Sequence, residues 1–315
     1  MIENIAFSLN IVMPWIVMTA IGVVLRHYKI VDEDFLAKGN KIVFLVFLPA
    51  MLFGSVYHAE LSDSFDAGFI LFVAAWTVLS FLAVWALSLV FIKDRSVISA
   101  FVQGACRSNV GALAVPLAFS VLGEGAIKSV LALVVLIPIY NIMCIVLLTV
   151  YSPKNGKKIN AKGVALSVAK NPSIISIVLG VAVSLSGLNL PFFANATVSA
   201  LSQVTVPLVL ICLGANIVFS SVDSKFRYAL YSSIIKVVLM PVAATFAAFL
   251  LGFRGEDLVI LMLLNGVPAA VAGYVMTMEI GGDFDVSAKN IVLTTCFSAF
   301  TLATFIFLFR TFGVV

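Results

Sequence analysis

Residues able to bind an ion sit where an apolar chain should not tolerate them. Between Ala105 and Leu117 the chain places Arg107, Ser108, Asn109, Gly111 and Pro116 inside an otherwise apolar span. In lipid each unsatisfied polar group costs several kcal/mol, so such a run must face protein or a watery cavity. A second interrupted span, from Leu264 to Gly273, carries Asn265, Gly266 and Pro268 at the matching place in the other half of the chain. Paired interruptions of this kind point to the binding site of a membrane carrier. Proline has no N–H and fits the first position of a helical segment. Half-helices starting at Pro116 and at Pro268 would therefore present free N–H groups and partial positive charge near the middle of the membrane. Two such ends facing each other suit a carboxylate.

Around these breaks Asn109, Asn265 and Asn141 are the neutral amides that could hold a carboxylate oxygen or a freed backbone group. The alternative for any one of them is an interhelical hydrogen bond. Arg107 lies deep in its span, where charge is rare and usually functional, either drawing an anion inward or holding unwound backbone. Lys236 is expected to snorkel to the membrane surface. All fifteen acidic residues fall in loops or at span ends, which argues against a cation exchanger built on a midplane carboxylate.

Composition sets the frame. The chain is 62% hydrophobic and only 11% charged, which excludes a water-soluble globule. Its net charge of +4 is spread over short loops and makes no nucleic-acid face. Cys106, Cys144, Cys212 and Cys296 read as small buried hydrophobes, so neither a disulfide nor a metal site is expected. Enzyme signatures are missing: there is no His-Glu-x-x-His run, no nucleophile elbow and no phosphate-binding glycine loop, and no cofactor is implied. No potassium-channel filter motif is present either.

The elements that must position these residues follow from hydropathy. Ten spans are expected, near 5–25, 41–57, 68–92, 97–122, 129–151, 172–188, 197–219, 228–252, 257–280 and 288–311. The first span lacks a basic flank and a cleavage site, and is read as a retained helix. With both termini outside, fourteen lysines and arginines fall in inner loops and three in outer ones. A basic loop at 152–171 separates repeats at 1–151 and 172–315, and five spans per half put the halves in opposite orientations. Pro49 and Pro207 are expected to break spans two and seven, which would belong to a scaffold.

Arg107 to Leu117, with Leu48-Pro49-Ala50 before it and Pro268-Ala269-Ala270 after it, resembles the bacterial branch of the auxin efflux carrier family. The resemblance extends over the whole chain, to Gly281-Gly282-Asp283 after span nine, and includes plant PIN carriers and bacterial malonate or malate permeases. It implies an all-α fold of ten helices in a five-plus-five inverted repeat, related to sodium/proton antiporters and bile acid symporters. Helices four and nine would cross at Pro116 and Pro268, with the crossover asparagine at Asn109. The expected activity is elevator-type transport of a small organic anion by a homodimer in the bacterial inner membrane. Two other readings are a sodium- or proton-coupled symporter and a non-transporting anion sensor.

Overall fold

The computed structural model describes residues 2–58, 66–151, 170, 172–215 and 225–314. These form α1 (Ile2–His27), α2 (Glu33–Ile42), α3 (Leu48–Tyr57), α4 (Ala67–Phe91), α5 (Ile98–Cys106), α6 (Val115–Leu122) and α7 (Ile127–Tyr151). They continue as α8 (Pro172–Ser186), α9 (Phe192–Ala215), α10 (Phe226–Ile234), α11 (Met240–Leu250), α12 (Glu256–Gly266), α13 (Val271–Ile280) and α14 (Phe284–Thr311). No strand occurs among the described residues. Among the described residues, six helical runs are long and apolar enough to cross a membrane. The basic loop expected at 152–171 lies outside the described residues, apart from Lys170.

Three helices pass through a π-helical turn just before a proline. The turns Val43–Phe47, Val110–Ala114 and Ile235–Leu239 lead directly into α3, α6 and α11, with Pro49, Pro116 and Pro241 in their first turns. A proline cannot donate to the carbonyl one turn back, and the wider turn shifts the ladder so that the helix continues. Pro207 lies within the unbroken α9. The breaks expected at Pro49 and Pro207 are therefore absent.

Two bodies of helices pack against each other. α1 packs on α9, α9 on α3 and α3 on α8, while α4, α5, α7, α10, α11, α12, α13 and α14 pack together. Gly22 of α1 lies on the Ile211 carbonyl of α9, and Gly214 of α9 on the Thr19 carbonyl of α1. Close backbone approach through small residues is how helices associate where lipid removes the hydrophobic drive. α1 and α14 form the broadest contact between the two bodies.

The larger body is clasped at both ends by charge. At one end the Lys128 ammonium reaches Asp66 at 3.2 Å and Asp257 at 2.8 Å, joining the starts of α4, α7 and α12. At the other end Lys225 reaches Asp283 at 2.6 Å, and Asp283 caps α14 through the Val286 N–H. Asp66 caps α4 by accepting from the Phe69 N–H at 3.0 Å. That bond, and after it the Lys128 ammonium, hold the Asp66 carboxyl below the usual carboxylate range against the opposing effect of burial. A lowered folded pKa contributes stability above the unfolded value of about 3.9, lost as pH falls through the folded pKa. Asp66→Asn is therefore expected to melt below the wild type at pH 6, with the gap closing under about pH 4. Thermal melts in detergent across that range check it.

Candidate functional site

Two helices stop in the middle of the larger body and restart. α5 ends at Cys106, Arg107 is extended, and the backbone turns helical again at Val110 after Asn109 (φ −81°, ψ 63°). α12 ends at Gly266, Val267 and Ala270 are extended, and α13 begins at Val271. The residue before a proline is pushed out of the helical region, which accounts for Val267 ahead of Pro268.

The breaks meet as one antiparallel bridge, Ser108 opposite Ala269. The Asn109 N–H donates to the Pro268 carbonyl at 3.0 Å, and the Ala270 N–H to the Arg107 carbonyl at 3.2 Å. Thr294 of α14 accepts from the Ala269 N–H at 3.2 Å. Each break thus satisfies the other's backbone, as the absence of water in lipid demands. The crossing joins Arg107–Asn109 to Pro268–Ala270. Pro116 lies beyond it, in α6, and starts no half-helix; the second half of that span starts at Val110 because the π turn absorbs the proline. Pro268 is at the crossing, but the helix after it starts at Val271.

The structure places the remaining site residues as follows. Asn109 stands at the N-terminus of its half-helix, half-buried, and its side chain does not cap that helix. Arg107 is buried and donates to the Asn141 side-chain oxygen of α7 at 3.0 Å and to the Met276 sulfur of α13 at 2.9 Å. Arg107 and Asn141 therefore belong together. Ser108 is buried beside Tyr140 of α7. A Cβ added at Gly111 would meet Leu48, beside Pro49, at ordinary van der Waals distance. Asn265 is engaged structurally: it accepts from the Trp76 indole at 3.2 Å and donates to the Leu261 carbonyl at 2.9 Å.

Lys236 does not snorkel. It is fully buried, and its ammonium donates to the Asn265 carbonyl in the last turn of α12. Its position along the chain allowed escape to the surface, but its direction around the helix axis turns it toward the break.

Several polar residues that hold the crossing were not singled out from sequence. Gln103 donates to the Gly273 carbonyl at 3.0 Å and to Thr277, tying α5 to α13. Asn290 of α14 donates to Ser232 at 2.8 Å and Ser233 at 3.1 Å. Their signal was available: Gln103 and Arg107, like Asn290 and Thr294, are four apart and share a helix face. A cavity of about 300 Å³ approaches the crossing from the other side, between the two bodies. Trp15 and Ile16 of α1, Leu210 of α9, Leu113, Pro268 and Thr295 are among its walls. No cluster of three or more metal-ligating side chains occurs among the described residues. The cysteines are free, and Cys296 is exposed where a buried thiol was expected.

Broken helices crossing inside an apolar helical bundle define a membrane transport protein. The chain belongs to the auxin efflux carrier-like family whose model is described as "Membrane transport protein", matched over residues 7–306. It is 23% identical to an "Uncharacterized transporter" of Methanothermobacter thermautotrophicus, covering 94% of this chain and 96% of that protein. It is 25% identical to a protein of Rhizobium meliloti named "Putative malonate transporter", over 90% of each chain. A third relative, "Uncharacterized transporter YfdV" of Escherichia coli, is 23% identical over 86% of this chain and 88% of its own.

Gly104 tests the packing behind the site. A Cβ there would lie 2.7 Å from the Asn290 amide carbon, and that amide is fixed by two serines. Gly104→Ala is expected to destabilise the protein by about 1–3 kcal/mol, read as a lowered melting temperature in detergent.

Proposed function

We propose that the protein is a secondary carrier of a small organic anion bearing a carboxylate. The observation that carries the reading is the charge at the crossing. Arg107 and Lys236 are buried against the two breaks, and the half-helices starting at Val110 and Val271 add their N-terminal partial charges. The described carboxylates in ion pairs, Glu33, Asp34, Asp66, Asp257, Asp283 and Asp285, stand at helix starts. A membrane interior with positive charge that no described carboxylate pairs with favours an incoming anion. Asn109, at the N-terminus of its half-helix with an amide not used in capping, is the side chain best placed to receive it. Ser108, Gly111, Asn141 and Pro268 shape the surroundings, with Arg107 fixed by Asn141.

The wider reading rests on the charge and hydropathy patterning of the chain and on its family resemblance. Ten passes, counting α2 with α3, α5 with α6, α10 with α11 and α12 with α13 as single interrupted or bent passes, form a five-plus-five inverted repeat. The body containing α1, α3, α8 and α9 acts as scaffold, and the body holding the crossing moves against it as an elevator. The cavity between them is consistent with such a sliding boundary. The carrier sits in the bacterial inner membrane with both termini outside and works as a homodimer. The Rhizobium relative's name supports a carboxylate substrate of malonate size.

The test is electrical. Protein in proteoliposomes on a solid-supported membrane is challenged with malonate, malate, lactate, succinate and indole acetate. A saturable current with at least one acid is expected, reduced about tenfold or more in Asn109→Ala, as expected when a hydrogen bond to a charged group is lost. Absence of current with every acid, or a current unchanged in Asn109→Ala, would reject the carrier or the site respectively.

A further inference from the structure

The end of α12 has an electrical requirement that the chain meets by itself. At the break Val267 still bonds to the Leu263 carbonyl, but the backbone then turns away and the Ala269 N–H goes to Thr294. The Asn265 carbonyl is left without a helical donor, at a C-terminus that carries partial negative charge. Lys236 supplies the donor from the π turn Ile235–Leu239. Its side chain is among the largest fully buried ones, and no ion pair joins it to a carboxylate among the described residues. A buried lysine head group with no carboxylate partner is costly, so its retention calls for a role at the break. The surrounding Asn265 side chain is already satisfied by Trp76 and Leu261, which fixes the carbonyl that Lys236 meets.

We propose that Lys236 is a positioning residue that holds the broken end of α12 and takes the place of a coupling metal cation, so that this carrier runs without sodium or potassium. Unwound carbonyls and half-helix C-termini are where membrane carriers bind such ions. Here the ammonium is covalently part of the protein and stays with the crossing through every cycle. It cannot be released on the far side, so it contributes nothing to the net charge moved. Each cycle then transfers the substrate's own negative charge. The inference rests on the anion-carrier reading for its transport consequences, while the fixing of α12 is testable apart from it.

The experiment compares wild type with Lys236→Arg, Lys236→Gln and Lys236→Met in sodium, potassium or choline chloride of equal ionic strength. Amide hydrogen exchange of the segment around Val267–Ala270 and melting temperature are read alongside the currents. The wild type is expected to melt at the same temperature in all three salts and to carry equal currents. Lys236→Met is expected to lose about tenfold or more of the current and to exchange faster at the break, the loss expected for a charged hydrogen bond. Lys236→Gln keeps a donor without charge and should resemble Lys236→Met in transport, whereas Lys236→Arg should recover most of the current and the protection. Sodium-specific stabilisation of the wild type would overturn the proposal. So would wild-type behaviour in Lys236→Gln, or unchanged exchange in Lys236→Met. If no acid drives a current through the wild type, the carrier reading falls, and the salt dependence of melting and the exchange data still decide the role of Lys236.

Discussion

A backbone that leaves its helix in the middle of a membrane has no water to turn to. Everything at the centre of this protein follows from that constraint. The two interruptions meet it together, through two reciprocal backbone hydrogen bonds between Arg107–Asn109 and Pro268–Ala270. What those bonds leave open is closed by side chains: Thr294 of α14 on the Ala269 N–H, Lys236 of the π turn after α10 on the Asn265 carbonyl, and Gln103 of α5 itself on the Gly273 carbonyl. Neither break could exist alone, because each would expose groups costing several kcal/mol apiece. The crossing is therefore a single cooperative unit, and the helices that service it must stay close to one another. That requirement ties α5, α10 to α14 into one body, while α1, α3, α8 and α9 are free of it.

Proline has two different fates here, and the difference is local. At Pro49, Pro116 and Pro241 a π turn immediately upstream widens the ladder, and the helix runs on. At Pro268 no such turn precedes it; Val267 is extended and the helix stops. The Pro116 segment does break, but earlier, where Arg107, Ser108 and Asn109 stand in succession. Ser and Asn side chains offer polar alternatives to the helical ladder.

Much of the site was legible in the sequence because lipid makes polar residues conspicuous. Arg107, Ser108, Asn109 and Pro268 stand out from an apolar background, and the structure joins them at the crossing. The exact starts of the half-helices were misjudged. A rule placing proline at the first helical position is sound for isolated helices but does not anticipate a π turn. Lys236 was misread for another reason. Depth along a helix can be counted from sequence, whereas the direction a side chain takes around the axis depends on which neighbours pack there. Snorkelling was possible for Lys236 by length, and the orphaned carbonyl that captures it belongs to another helix. The full count of passes, the repeat and the sliding of one body on the other were inferred from patterning and resemblance, and stand as proposals.

Charge balance links the geometry to transport more tightly than any single contact. Arg107 is held by an uncharged amide and a sulfur, and Lys236 by a carbonyl. Neither has a carboxylate partner among the described residues, so among them only the partial negative ends of α5 and α12 oppose the positive charge at the crossing. In a low-dielectric setting such charge is expensive when the site is empty and relieved when an anion arrives. An empty carrier with this site would be reluctant to move its centre across the membrane, and a loaded one less so. Substrate binding and permission to move would then share one electrostatic origin. In the proposed elevator, the apolar boundary between the two bodies, with its cavity against Pro268, would be the sliding surface.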